Sequence, residues 1–209
     1  MRVRDIMSSP VVTVTVVTTV KHAASLLASN GFTALPVLDD DGGLIGIVTE
    51  ADLVRDRFLR DPRYRHADEA DISGADGGPQ VPAATVGAVM TTPVIGMGVG
   101  TDVVDVVTAM LDDRVRSMPI VDGSRVVGIV TRRDLVRVLA RDDQAIAADV
   151  RHRLAMYGRP YRWTVAVHDG AVAIGDEFDS PTDRHVVAVL AEAVSGVTTV
   201  RVASHAATD

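Results

Sequence analysis

The chain contains no cysteine in 209 residues, which excludes disulfides and thiolate chemistry and leaves the redox compartment unreadable from cysteine pairing. Lys21 is the sole lysine, so positive charge rests almost wholly on arginine. Positive charge is also scarce overall. A formal net charge of −7 argues against nucleic acid as the main partner, because phosphate binding needs a clustered positive field. Long apolar runs are missing as well: Met1-Arg2-Val3-Arg4-Asp5 leads directly into polar, patterned sequence. The expectation is a soluble cytoplasmic protein with neither signal peptide nor membrane-spanning helix. There is no Gly-x-Ser-x-Gly elbow, no Gly-x-x-x-x-Gly-Lys-Ser/Thr loop and no His-Glu-x-x-His pair, so no catalytic residue is nominated and the chain reads as a non-enzyme. With 47% apolar residues it can still fill real cores, in one large or two modest domains.

What is present is a duplication. Met7-Ser8-Ser9-Pro10-Val11 aligns with Met90-Thr91-Thr92-Pro93-Val94, and Gly46-Ile47-Val48-Thr49-Glu50-Ala51-Asp52-Leu53 with Gly128-Ile129-Val130-Thr131-Arg132-Arg133-Asp134-Leu135. The unit is roughly sixty residues long, and two such copies imply a pseudo-symmetric pair, not a solenoid. Each copy opens with a β-branched run, Val11 to Val17 or Val94 to Val99, ahead of a polar helix start at Thr18/Thr19 or Thr101/Asp102. Val20, Ala23, Ala24 and Leu27 recur at helical spacing, as do Val103, Val106, Val107, Met110 and Leu111. Asn30-Gly31 supplies a left-handed stop, with Asp113-Arg114 as its weaker counterpart. Short apolar strands follow at Ala34 to Asp39 and Ser117 to Asp122, where Pro36 and Pro119 predict an edge or a strand start. An Asp/Gly turn leads into Leu44 to Val48 or Val126 to Val130, and a helix begins after Thr49 or Thr131.

Those threonines stand where free backbone N–H groups gather. A hydroxyl at a helix N-terminus suits a phosphate, and a carboxylate at the third helical position suits a ribose diol. The alternative is plain capping, with Thr49 and Thr131 satisfying amides and Asp52 and Asp134 favouring the helix dipole. The residues alone leave both open.

The order of Met-x-x-Pro-Val, amphipathic helix, Leu-Pro-Val-x-Asp or Met-Pro-Ile-Val-Asp strand, and Gly-Ile-Val-Thr-x-x-Asp-Leu resembles a cystathionine-β-synthase (CBS) domain, and the tandem resembles a Bateman module. The resemblance implies an α+β fold in which two β-α-β-β-α repeats form a pseudo-twofold disc with two clefts for adenosyl ligands such as AMP, ATP or S-adenosylmethionine, no cofactor being required. It implies that Thr49 and Asp52, and Thr131 and Asp134, contact phosphate or ribose. Val12, Thr13, Ala34, Leu35 and Pro36 would wall the adenine in one cleft; Ile95, Gly96, Ser117, Met118 and Pro119 would do so in the other. It also implies a homodimer that regulates another protein. Arg114, Arg116, Arg132 and Arg133 replace Gly31, Thr33, Glu50 and Ala51 of the first copy, so an anionic ligand is expected to prefer the second cleft. These arginines read equally as solvated or dimer-contact residues.

The repeats are assigned to 1–60 and 85–141, with a linker at 61–84 rich in charge, glycine and proline. Its His66-x-Asp68-Glu69-x-Asp71 run matches no metal motif, and no metal site is assigned. Residues 142–209 change in composition. Ile146, Val150, Leu154 and Tyr157 define a helix ended by Gly158-Arg159-Pro160. Strands follow at Tyr161 to His168 and Ala171 to Ile174 around Asp169-Gly170, then a helix through Val186, Val187, Leu190 and Val194, and a strand from Val197 to Ala203. This α-β-β-α-β order predicts a small two-layer sandwich. Asp169-Gly170-Ala171-Val172-Ala173-Ile174-Gly175 and Gly196-Val197-Thr198-Thr199-Val200 resemble a BON domain, a family associated with phospholipid surfaces. Arg141, Arg151, His152, Arg153, Arg159 and Arg162 would then meet anionic headgroups, or form an ordinary solvated face. Trp163 reads as core. The sequence supports two readings: a regulatory adenosyl-ligand sensor that signals through its tail, and an adaptor that dimerises and holds a membrane surface or protein.

Overall fold

The computed structural model describes residues 1–55, 57–58, 83–158, 162–177 and 180–204. The linker up to residue 82 with its His66 run, Arg159, Pro160, Tyr161 and His205 lie outside the described residues. The chain forms two compact units, one of Met1–Ser8, Gly98–Met118 and Ile129–Asp209, the other of Ser9–Met97 and Pro119–Gly128.

In the second of these units β1 (Val14–Thr15), α1 (Val20–Asn30), β2 (Ala34–Leu38), β3 (Leu44–Thr49) and α2 (Glu50–Val54) follow the expected β-α-β-β-α order. β2 is central, parallel to β1 and antiparallel to β3. The apolar run Val11 to Val17 contributes only two paired residues, because Thr18 turns the chain there: its hydroxyl accepts the Thr15 amide at 3.0 Å and its own amide donates to the Thr15 carbonyl at 3.1 Å. Pro36 is not at a strand start or a sheet edge, as its residue type predicts, but within the central strand. That position is tolerated because β1 pairs only with Val37 and Leu38, leaving Pro36 without a parallel neighbour that needs its missing N–H.

α1 begins where the Thr19 hydroxyl accepts the His22 amide and ends on Gly31, whose φ of 64° is the left-handed region. Val20, Ala23 and Leu27 are buried on one face; Ala24 is exposed. They pack with Val14, Leu35, Val37, Val48, Leu53 and Val86 into one apolar core. The register explains the selection, since Leu35 pairs with Val48 and alternate residues Ala34 and Pro36 point to the opposite face.

The second repeat contributes β4 (Met97–Gly98), α3 (Val103–Asp112), β5 (Ser117–Asp122), β6 (Arg125–Thr131) and α4 (Arg132–Leu139), with sheet order β4-β5-β6. Val103, Val106 and Met110 are buried, whereas Leu111 is 61% exposed and leaves the face assigned to it. Arg114 takes the left-handed turn with φ 55°, the role glycine fills in the first copy.

The tail forms α5 (Asp143–Tyr157), β7 (Trp163–His168), β8 (Ala171–Asp176), α6 (Pro181–Glu192) and β9 (Thr199–Ser204). β7 and β8 are antiparallel, and α6 carries the chain over to β9, parallel to β8. The hairpin turn places Asp169 and Gly170 at φ 48° and 74°, and the Asp143 carboxylate accepts both their amides at 2.8 and 2.9 Å. Ile146, Val150, Leu154, Trp163, Val172, Ile174, Val187, Ala191 and Val194 make the tail core. Tyr157, placed with that helix's apolar face by its spacing, is instead partly exposed and donates its hydroxyl to Asp183 at 2.8 Å.

One charged group holds the tail's layers together. Arg162 bonds both carboxylate oxygens of Asp176, at 2.8 and 3.0 Å, reaches Asp183 at 2.6 Å, and lies 4.2 Å over the Trp163 ring. The Asp176 side chain is 0% exposed, and this arginine pairs with both of its oxygens. We predict that Arg162→Leu costs about 3 kcal/mol in chemical denaturation, and that Arg162→Leu with Asp176→Leu recovers most of it, because the single change takes the cation from a buried carboxylate and the double change removes both charges. Hydrogen bonds from Arg162, then Tyr157, hold the Asp183 carboxyl below its ordinary value. Its stabilisation is therefore complete above the ordinary aspartate range and lost as pH falls through the lowered value. Asp183→Asn should flatten acid unfolding in that window.

Candidate functional site

Thr49 ends β3 and caps α2; Thr131 ends β6 and caps α4, with nearly identical backbone angles of −116°, 166° and −117°, 162°. An extended residue feeding a helix start turns its side chain back over the first free amides. The result is the same capping box twice. Asp52 Oδ2 accepts the Thr49 amide at 2.9 Å and its hydroxyl at 2.7 Å, while the Asp52 amide approaches Thr49 Oγ1 at 3.4 Å. Asp134 Oδ2 accepts the Thr131 amide at 2.8 Å and its hydroxyl at 2.7 Å, with the Asp134 amide 3.4 Å from Thr131 Oγ1.

This geometry decides what each box can offer. The threonine proton is spent on the aspartate, so it is not available to a phosphate, which only accepts. The aspartate keeps one oxygen, Oδ1, outside the box, and a carboxylate oxygen accepts from hydroxyl donors such as a ribose diol. Both capping and ligand acceptance thus fit one pair of side chains, through different oxygens.

The surroundings of the two boxes differ. In the first unit of sequence, Asp52 Oδ1 has no hydrogen-bond partner among the described residues, and Glu50, exposed beside Thr49, adds negative charge. Thr13 is half-buried and Pro36 buried, while Leu35 is 1% exposed and packs in the core. In the second copy Asp134 is buried and its Oδ1 takes Arg137 Nη1 at 3.1 Å. Arg132, expected to face an anion, donates instead to the carbonyls of Val115 at 3.1 Å and Met110 at 3.0 Å, where it neutralises the open end of α3. Arg116 and Arg133 are exposed and have no side-chain partner among the described residues. Met118 is 1% exposed, a core residue like Leu35. Ile95 and Pro119 belong to the other compact unit.

Arg137 was not nominated from sequence, and Arg141 was nominated only as part of a basic group that would meet headgroups. Arg137 lies three positions after Asp134, a helical spacing that would have flagged it. Arg141 lies between α4 and α5 and bonds the Ser195 carbonyl and Asp149, both at 2.7 Å. Its partners are distant in sequence, and no local pattern announces them. Among the described residues no group of three or more His, Asp or Glu side chains is placed to hold a metal, and no helix is long and apolar enough to cross a membrane.

The CBS domain profile matches residues 3–57 and 86–141, together more than half of the chain. An uncharacterized protein of Methanocaldococcus jannaschii is 30% identical over 141 residues, covering 66% of this chain and 32% of that protein. Hypoxic response protein 1 of Mycobacterium tuberculosis is 28% identical over 136 residues, covering 65% and 83%. The chain spans about a third of the length of the archaeal relatives it matches. The CBS domain pair of protein MJ0100, solved with 5′-methylthioadenosine and S-adenosyl-L-methionine, aligns with a TM-score of 0.52 at 28% identity, covering 67% of this chain and 96% of that one. CBSX2 in complex with AMP aligns at 0.50 with 30% identity, covering 65% and 93%.

Thr131→Ala removes both the acceptor for the Asp134 amide and the donor to its carboxylate. A loss of about 1 kcal/mol in urea unfolding is expected, and the same for Thr49→Ala.

Proposed function

This chain belongs to the CBS domain family, and from that membership we propose that it is a regulatory module that binds adenosyl ligands at its two capping boxes and passes the change to its tail. The observation that carries the reading is the duplicated aspartate: Asp52 and Asp134 each support a helix start with Oδ2 and leave Oδ1 outside the capping box. The similar CBS pairs solved with 5′-methylthioadenosine and S-adenosyl-L-methionine, and with AMP, support the adenosyl class. ATP belongs to the same class.

The route to the tail is short. α4 begins at the second box, and only Ala140, Arg141 and Asp142 separate it from α5. Arg141 fastens this junction to Ser195, in the turn between α6 and β9. A shift of α4 on binding is therefore transmitted to the tail as a rigid displacement, provided the ligand binds the shifted state more tightly. We read residues 142–209 as a BON-like module. Because Arg141 and Arg162 are engaged inside it, the basic group available to a lipid headgroup is smaller than composition implies. Exposed Val104 and Leu111 on α3 and Val136 and Leu139 on α4 favour a second copy of the chain as partner.

Calorimetric titration with AMP and S-adenosylmethionine tests this directly. Saturable binding is expected, reduced at least tenfold at one site by Asp52→Asn and at the other by Asp134→Asn. A folded protein that gives no heat with either ligand contradicts it.

A further inference from the structure

We propose that Arg137 is a built-in competitor at the second site: its guanidinium occupies the oxygen of Asp134 that a ribose needs, and a ligand must displace it to bind. The proposal rests on the reading of Asp134 as a ribose acceptor. Arg137 Nη1 lies 3.1 Å from Asp134 Oδ1, while Oδ2 is filled by the amide and hydroxyl of Thr131. Both carboxylate oxygens are thus taken. The aspartate side chain is 8% exposed and that of Arg137 is 68% exposed, so the arginine covers its partner from the solvent side and has room to swing away.

The first site has the same residue type in the same place and no such cover. The counterpart of Arg137 is Arg55, but α2 stops at Val54, and Arg55 leaves the helix with φ −57° and ψ 127°. An arginine three residues after an aspartate meets it only while the helix continues through both. α4 runs on to Leu139 and keeps that alignment. A difference in helix length therefore converts one repeated motif into an open acceptor and a covered one.

The competition predicts an unusual salt response. Added salt weakens the Arg137–Asp134 pair, whose guanidinium is exposed, so a neutral adenosyl ligand should bind the second site more tightly as ionic strength rises. The test uses the full chain carrying Asp52→Ala, which removes the first site, and 5′-methylthioadenosine as an uncharged probe. Arg137→Gln should tighten binding about three- to fivefold at low salt, the range open to a pair with one exposed partner, and abolish the salt response. Arg137→Lys, which keeps the charge, should stay near the parent. Equal affinity and an unchanged salt response in Arg137→Gln would overturn the proposal while leaving the ribose reading intact. Undiminished binding by Asp134→Asn, or no saturable binding by any of these folded variants, would remove the ribose reading and the competitor with it.

Discussion

Each repeat starts its last helix on a single carboxylate that closes a capping box. A strand that ends in threonine and continues as a helix exposes unpaired amides, and water or a side chain must satisfy them. In both copies aspartate does so with Oδ2, reaching back to the threonine amide and hydroxyl at 2.7 to 2.9 Å. Because the box uses one oxygen of the carboxylate, it also fixes where the other one lies. Preorganisation of this kind lowers the entropic cost of association. The cap and the acceptor are two uses of one geometry, which is why capping alone does not argue against a ligand.

From that constraint the rest follows by connection. α4 starts at the second box, three residues separate its end from α5, and Arg141 ties that junction to the turn between α6 and β9. The tail is itself tied by Arg162, which joins the end of β8 at Asp176 to the start of α6 at Asp183 and stacks on Trp163. Charges placed inside are shared, bidentate and hydrogen-bonded, the arrangement in which a buried ion pair offsets its own desolvation.

Much of this was legible in the sequence. Helical spacing of Val20, Ala23 and Leu27, the Asn30-Gly31 stop, the Asp169-Gly170 turn and the tail's α-β-β-α-β order all read locally, because local dihedral and burial preferences decide them. The short first strands did not, since the Thr18 hydroxyl that ends β1 competes with the β-branched run. Pro36 misled because its tolerance depends on how far a neighbouring strand extends. Duplication picked out Thr49, Asp52, Thr131 and Asp134, which form the two capping boxes, while Leu35 and Met118 are buried, a matter of register that one strand alone does not fix. Arg132 read as an anion ligand because its charge is visible in sequence and the carbonyls of Val115 and Met110 that receive it are not.

The central claim is that the outward oxygens of Asp52 and Asp134 accept ribose hydroxyls. Comparing the affinity of the unmodified chain for AMP and for its 2′,3′-dideoxy counterpart tests it most directly, since the two differ only in the groups these oxygens would hold. The account predicts a loss of at least about tenfold without the diol. Equal affinities would show that the aspartates are helix caps and nothing more.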